Sequence, residues 1–266
     1  MNKKLGVFEK RIHEVDLIRG ILIMIVILDH LFWFFKSNFL TWFGDTNAVY
    51  QFTNFYWTSN ARQIIRQVVL FLFVFISGVS CSFSRNNWKR AAKMILVWGI
   101  LSIVSNIADK ALNEGKGTWI VDFNVIGVLA WSVLIYCFFQ NWSYKGLTAI
   151  ALICFLLSTM VVLIPENVRN STYVPALWAP DGLVTPHIEG AVKVTGDWMP
   201  LFPYITFFFM GAIFARFIYK DKKSLFKRYE WERWICFTGR NTIWVYLLHE
   251  PILIGIFFLI GLIVGA

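Results

Sequence analysis

The 266 residues are 58% hydrophobic and 18% aromatic, and only 15% are charged, against roughly 25% in soluble globular proteins. With a mean hydropathy of +0.60, this chain cannot cover itself with a water-soluble surface, which excludes an ordinary soluble domain. The net charge of +9 would suit nucleic acid, but its distribution along the chain argues for membrane topology instead.

Apolar runs at 17–36, 91–108, 147–164, 201–219 and 243–264 reach or approach the roughly 20 residues that cross about 30 Å of hydrocarbon. Two shorter runs, 63–83 and 123–139, complete a set of seven. Lipid offers the backbone no hydrogen-bond partner, and continuous apolar runs lack the alternation of barrel strands, so the runs are read as helices. The expected fold is all-α: one polytopic transmembrane bundle over residues 1–266, with no second domain and no internal repeat.

The first run is too long for a removable signal and holds Asp29 and His30 near its far end, so it remains as the first helix. Lys and Arg crowd the N-terminus, the stretch 85–93 and the stretch 220–240. The alternate segments carry fewer cations mixed with acids, which places the N-terminus in the cytosol and the C-terminus outside. The basic stretch near residue 222 is read as a lipid-facing anchor.

On the expected outer side, segments 37–61 and 165–199 are long for structureless loops. The first carries an aromatic cluster suited to the membrane interface. The second, rich in acids and prolines, could cap an opening, and Asn170-Ser171-Thr172 within it is a glycosylation sequon. Cys81, Cys137, Cys154 and Cys236 show no metal-type spacing and are expected to be free thiols. No metal is expected.

Ionisable side chains at membrane depth are costly and are functional by default. His30 stands eleven positions after Arg19, which returns the chain to within about 20° of its starting direction over roughly 16 Å of rise, so both share a face. Counted from Asp16, His30 lies about 20 Å along the helix. That face offers a phosphate-suited cation near the cytosol and a base further in, which fits a long donor whose reactive end lies deep. Transfer of an acyl group from a thioester to a hydroxyl or amine needs such a base, and neutral histidine supplies it. Asp29 projects about 100° away from His30, so any group orienting that ring must come from another helix. His249, beside Glu250 and Pro251, could approach the same cavity or serve as a polar helix contact. Arg19 could equally pair with Asp16 or reach to headgroups.

Five pieces in order carry a resemblance: Arg11 to Gly20 with His30 beyond it, Leu72 to Gly78, Ile126 to Leu129, Asp197 to Pro203 leading to Gly211, and Gly239 to Thr242 with Tyr246 to His249. Together they resemble the heparan-alpha-glucosaminide N-acetyltransferase catalytic-domain family. The Arg19-to-His30 spacing is also similar to the arginine and histidine motif of the acyltransferase-3 family. The resemblance implies transfer of an acyl group, often acetyl, from cytosolic acetyl-CoA or another acyl-CoA to a saccharide, glycolipid or cell-envelope acceptor. It implies His30 and His249 at the catalytic centre, and Arg19, Arg240 and Asn241 on the donor side. Asp197 and Trp198 fall on the acceptor side. Segment 37–61 lacks the histidine that the lysosomal relative carries after its first helix, so the base role rests on the acyltransferase-3 spacing. The implied setting is a bacterial cytoplasmic membrane, with the bilayer and a homodimer as partners and no nucleic acid. A proton-coupled transporter is the alternative reading. A seven-helix receptor is disfavoured by the cytosolic N-terminus.

Overall fold

The computed structural model describes residues 12–112, 121, 123–163, 199 and 201–265. Among them are nine helices and no strand: α1 His13–Phe43, α2 Ala48–Thr58, α3 Asn60–Phe83, α4 Asn87–Leu112, α5 Val125–Phe139, α6 Tyr144–Leu163, α7 Leu201–Ile218, α8 Glu232–Arg240 and α9 Thr242–Val264. Five of them, α1, α3, α4, α7 and α9, are long and apolar enough to cross a membrane, and α5 and α6 are shorter apolar helices. Every expected span is thus met by a helix. Asp197, Trp198, the sequon and the rest of the expected cap lie outside the described residues.

The outward faces show which solvent these helices meet. Leu96, Ile100, Ile103 and Ile107 form one exposed stripe of α4, and Ile252, Ile256, Leu259 and Ile263 form another on α9. Large apolar side chains at helical spacing with nothing packed on them belong against lipid tails. The protein is a polytopic helical membrane protein.

Two helices fall where the sequence suggested loops. α2 starts because Asn47 accepts hydrogen bonds from Val49 N and Tyr50 N, satisfying two otherwise orphaned amides. Its aromatic face then packs on α1 through Phe32 with Phe52 and Tyr56. α8 is too short and too polar to register as a span, and its buried face carries Glu232, Cys236 and Gly239. All four cysteines are free and buried.

The described chain divides into two compact units. In the unit running from Val74 to Lys220, α5 is the central element. Val128, Ala130 and Val133 on it have no exposed surface, nor do Phe208, Phe209, Ala212 and Ala215 of α7. Asn124, also fully buried, caps α5 by accepting from Ile126 N and Gly127 N. At its other end Arg216 donates to the carbonyls of Gln140 and Trp142, which would otherwise be stranded. The last part of α3 crosses α7 backbone against backbone. A Cβ at Gly78 would collide with the Phe208 carbonyl, and one at Gly211 with the Phe75 carbonyl. Small residues permit the close approach that gives membrane helices their packing energy.

The other unit joins residues up to Phe73 with those from Asp221 onward. α1 is its spine, packed by α2, α8 and α9. Gly20 lies against the Ile235 carbonyl and Gly239 against the Asp16 carbonyl, so α8 runs antiparallel to the start of α1. α9 then runs beside the later part of α1, with Phe257 on Phe34 and Phe35, and Gly261 on Trp42.

Gly211→Val is expected to destabilise by about 3 kcal/mol or more, because the obstructing atoms are backbone and cannot rotate away. Gly99→Val, at a position with open space around it, should cost less than about 1 kcal/mol. Thermal unfolding of fluorescent fusions in detergent would measure both; equal shifts would refute the close crossing.

Candidate active site

The parallel course of α1 and α9 brings His30 and His249 together. His249 Nε2 stands 2.7 Å from His30 Nδ1, and Glu250 Oε1 stands 3.2 Å from the same His30 nitrogen. On its other edge His249 Nδ1 meets the Tyr246 carbonyl at 2.5 Å. His249 is buried, whereas the side chains of His30 and Glu250 keep 27% and 43% of their surface exposed. The ring is therefore reachable and does not lie sealed in the core.

These contacts assign the protons. A carbonyl can only accept, so His249 Nδ1 carries a hydrogen and donates it to Tyr246. Neutral His249 then has its lone pair on Nε2 and must accept from His30 Nδ1. Glu250, also an acceptor, converges on that same nitrogen. His30 is thereby held as the Nδ1–H tautomer, with its basic lone pair on Nε2. The orienting groups come from another helix, as the 100° offset of Asp29 requires.

The same three residues offer ligand atoms within 4.8 Å of one another, a set that could hold a divalent cation. Two nitrogens on one tetrahedral zinc at about 2.0 Å each lie roughly 3.3 Å apart. The 2.7 Å between the two facing ring nitrogens is that of a shared proton.

Asp29 turns to a different partnership. Arg62, in the first turn of α3, grips it with two bonds, Nε to Oδ1 at 2.8 Å and Nη2 to Oδ2 at 2.6 Å. Tyr56 of α2 donates a third at 2.9 Å. Burial and the carboxylate it serves push the Tyr56 phenol up to about 12, so it remains a donor throughout the physiological range. The Arg62 guanidinium also stacks 3.5 Å over the Trp57 ring. Arg62 and Tyr56 were not evident as site residues in the sequence. A cation in the opening turn of an otherwise apolar helix was the available signal for Arg62, and a second intramembrane carboxylate beside Pro251 was the signal for Glu250.

Towards the start of α1 a second polar cluster gathers. Arg240 Nε donates to Asp16 Oδ2 at 3.1 Å, and Arg19 Nη1 lies 3.9 Å from Asp16 Oδ1 and 3.5 Å from the Gly239 carbonyl. Two guanidiniums therefore share one carboxylate. Asn241 donates its side chain to the Phe237 carbonyl, closing the end of α8. His13 sits between Glu14 and Glu232, at 3.2 and 3.6 Å, and Glu14 also accepts from Leu225 N at 2.6 Å.

Residues 11–251 match the model of the heparan-alpha-glucosaminide N-acetyltransferase catalytic family. The chain belongs to that family. It is therefore a member of a membrane acetyltransferase family, and the site described above lies within the matched region. No curated relative and no solved structure matches it.

Arg62→Ala is expected to cost about 3 kcal/mol, because it strands the Asp29 carboxylate among helices. Pairing it with Asp29→Asn should recover much of that loss. Unfolding of the two single variants and the double variant closes the cycle; strict additivity would show that the pair is not coupled.

Proposed function

We propose that this protein transfers an acetyl or related acyl group from cytosolic acyl-CoA to a hydroxyl or amine of a sugar or cell-envelope acceptor, with His30 Nε2 as general base. The observation that carries this reading is the 2.7 Å contact between His30 and His249, which fixes the tautomer of an imidazole at a partly open position on α1.

The bond changes are simple. His30 Nε2 takes the proton from the acceptor O–H or N–H as that atom bonds to the thioester carbonyl carbon. The new imidazolium keeps its Nδ1–H on His249 and faces the Glu250 carboxylate, which stabilises the positive charge. Collapse of the tetrahedral intermediate breaks the C–S bond, and the departing thiolate recovers the proton from Nε2. The ring returns to its starting tautomer, with acylated acceptor and free thiol as products.

Arg19 and Arg240 suit the donor end. Both guanidiniums converge on Asp16, and planar guanidinium donors suit the phosphates of a nucleotide donor. Arg19 stands eleven residues before His30, about 16 Å along the helix. This reading uses the topology with the N-terminus in the cytosol and sets the protein in a bacterial cytoplasmic membrane. A chain of two imidazoles and a carboxylate could also relay protons, as a transporter would need, and the absence of thioester turnover would favour that reading.

Purified protein given labelled acetyl-CoA and a mixture of sugar acceptors should show label transfer. His30→Ala should lower it by about 100-fold or more, the usual scale for loss of a general base, while the protein still elutes as a folded species. His249→Phe, which leaves His30 Nδ1 without its ring acceptor, should cost about tenfold or more. Turnover that survives His30→Ala would sink this mechanism.

A further inference from the structure

The opening two turns of α3 are unusual for a membrane helix. Arg62, Gln63, Arg66 and Gln67 share one face, while Ile64, Ile65 and Val68 are exposed on the remainder. The polar face, with Trp57 and Thr58 from the end of α2, lines a cleft of about 480 Å³, within the usual range of small-ligand sites. Polar groups on an otherwise lipid-facing helix are expensive unless something uses them.

Among the described residues the charges in this cleft are not balanced. Arg62 is matched by Asp29 and held flat on Trp57. Arg66, one turn further on and exposed, meets no carboxylate among the described residues. Around it stand two primary amides and a hydroxyl, groups that both donate to and accept from hydroxylated ligands. Arg62 in the wall bonds Asp29, the residue before His30 on α1, so this ion pair ties the cleft to the helix that carries the proposed base.

We propose that this cleft is the acceptor subsite, and that it takes a hydroxyl-rich acceptor bearing a carboxylate or phosphate, with Arg66 binding the anionic group. The inference rests on the acyl-transfer reading for the word acceptor; the binding it describes does not need turnover. Gln63, Gln67 and Thr58 hold neighbouring hydroxyls, and Arg62 stays committed to Asp29 as a fixed wall. Arg66 is thus the specificity-determining residue, because the amides alone would accept a neutral sugar equally well.

Three probes test this on the full-length protein in nanodiscs of neutral lipid: methyl glucuronide, glucose 6-phosphate and methyl glucoside, titrated by saturation-transfer NMR. At least one charged probe should bind about tenfold or more tighter than the neutral one, as a charge-assisted contact would give, and the two charged arms tell carboxylate from phosphate. Arg66→Gln should remove that advantage, Arg66→Lys should keep part of it, and His30→Ala should leave it intact. Equal binding of all three probes to the unaltered protein overturns the proposal without recourse to any variant. So does a charged-probe advantage that survives Arg66→Gln. Arg66-dependent binding without any acyl transfer would retain this site and discard the catalytic reading alone.

Discussion

The close crossing of α1 and α8 is the constraint on which the functional site depends. Gly20 and Gly239 let two backbones touch, one against the Ile235 carbonyl and the other against the Asp16 carbonyl. From that contact α1 continues ten residues to His30, while the other segment leaves α8 at Arg240 and enters α9 on its way to His249. The chain turns at Asn241, and α9 then runs parallel to α1, so that His249 arrives at the level of His30. A side chain at either glycine would separate the helices by more than the shared proton at 2.7 Å can tolerate.

The same logic explains how α1 carries so many ionisable groups. At its start, Asp16 is held by Arg240 from α8, and His13 and Glu14 face Glu232 and the Leu225 amide. Further along, Asp29 is held by Arg62 and His30 by His249. In a low-dielectric setting each unpartnered charge would cost several kcal/mol, so the polar partners specify which helix lies on which face. Polar pairing and glycine contact therefore act together, the one choosing the neighbour and the other setting its distance.

Much of this was legible in the sequence, for identifiable reasons. Continuous apolar runs announce spans because hydrocarbon forbids unsatisfied backbone, and each of the seven runs is met by a helix. The shared face of Arg19 and His30 follows from helical geometry alone. α2 and α8 were not legible: one depends on the Asn47 cap and aromatic packing, the other on a buried face that includes Glu232. The grip of Arg62 on Asp29 joins residues 33 apart, and no periodicity reports which of several cations will reach a given carboxylate. The family pieces now have a physical meaning as well. Each of the five contains a glycine at a contact, Gly20, Gly78, Gly127, Gly211 and Gly239, where a Cβ would meet a neighbouring element.

Two carboxylates lie near His30, and their different fates decide how the site works. Asp29 is neutralised by a two-bonded guanidinium and a phenol, so it contributes geometry and little net field. Glu250 faces the imidazole itself. If His30 acts as the proposed base, that carboxylate faces a neutral ring before the acceptor's proton arrives and an imidazolium after it. The electrostatic gain therefore arrives when the proton moves and is absent before it, which is the condition for an interaction to speed a reaction instead of merely tightening a complex. Exchange the two arrangements, with Arg62 on Glu250 and Asp29 facing open, and the offset of about 100° between neighbouring residues on a helix would leave the imidazolium without a counter-charge. The division of roles follows from helical geometry: only a residue on the facing helix can serve the ring, and only the residue beside it on α1 is free to anchor α3.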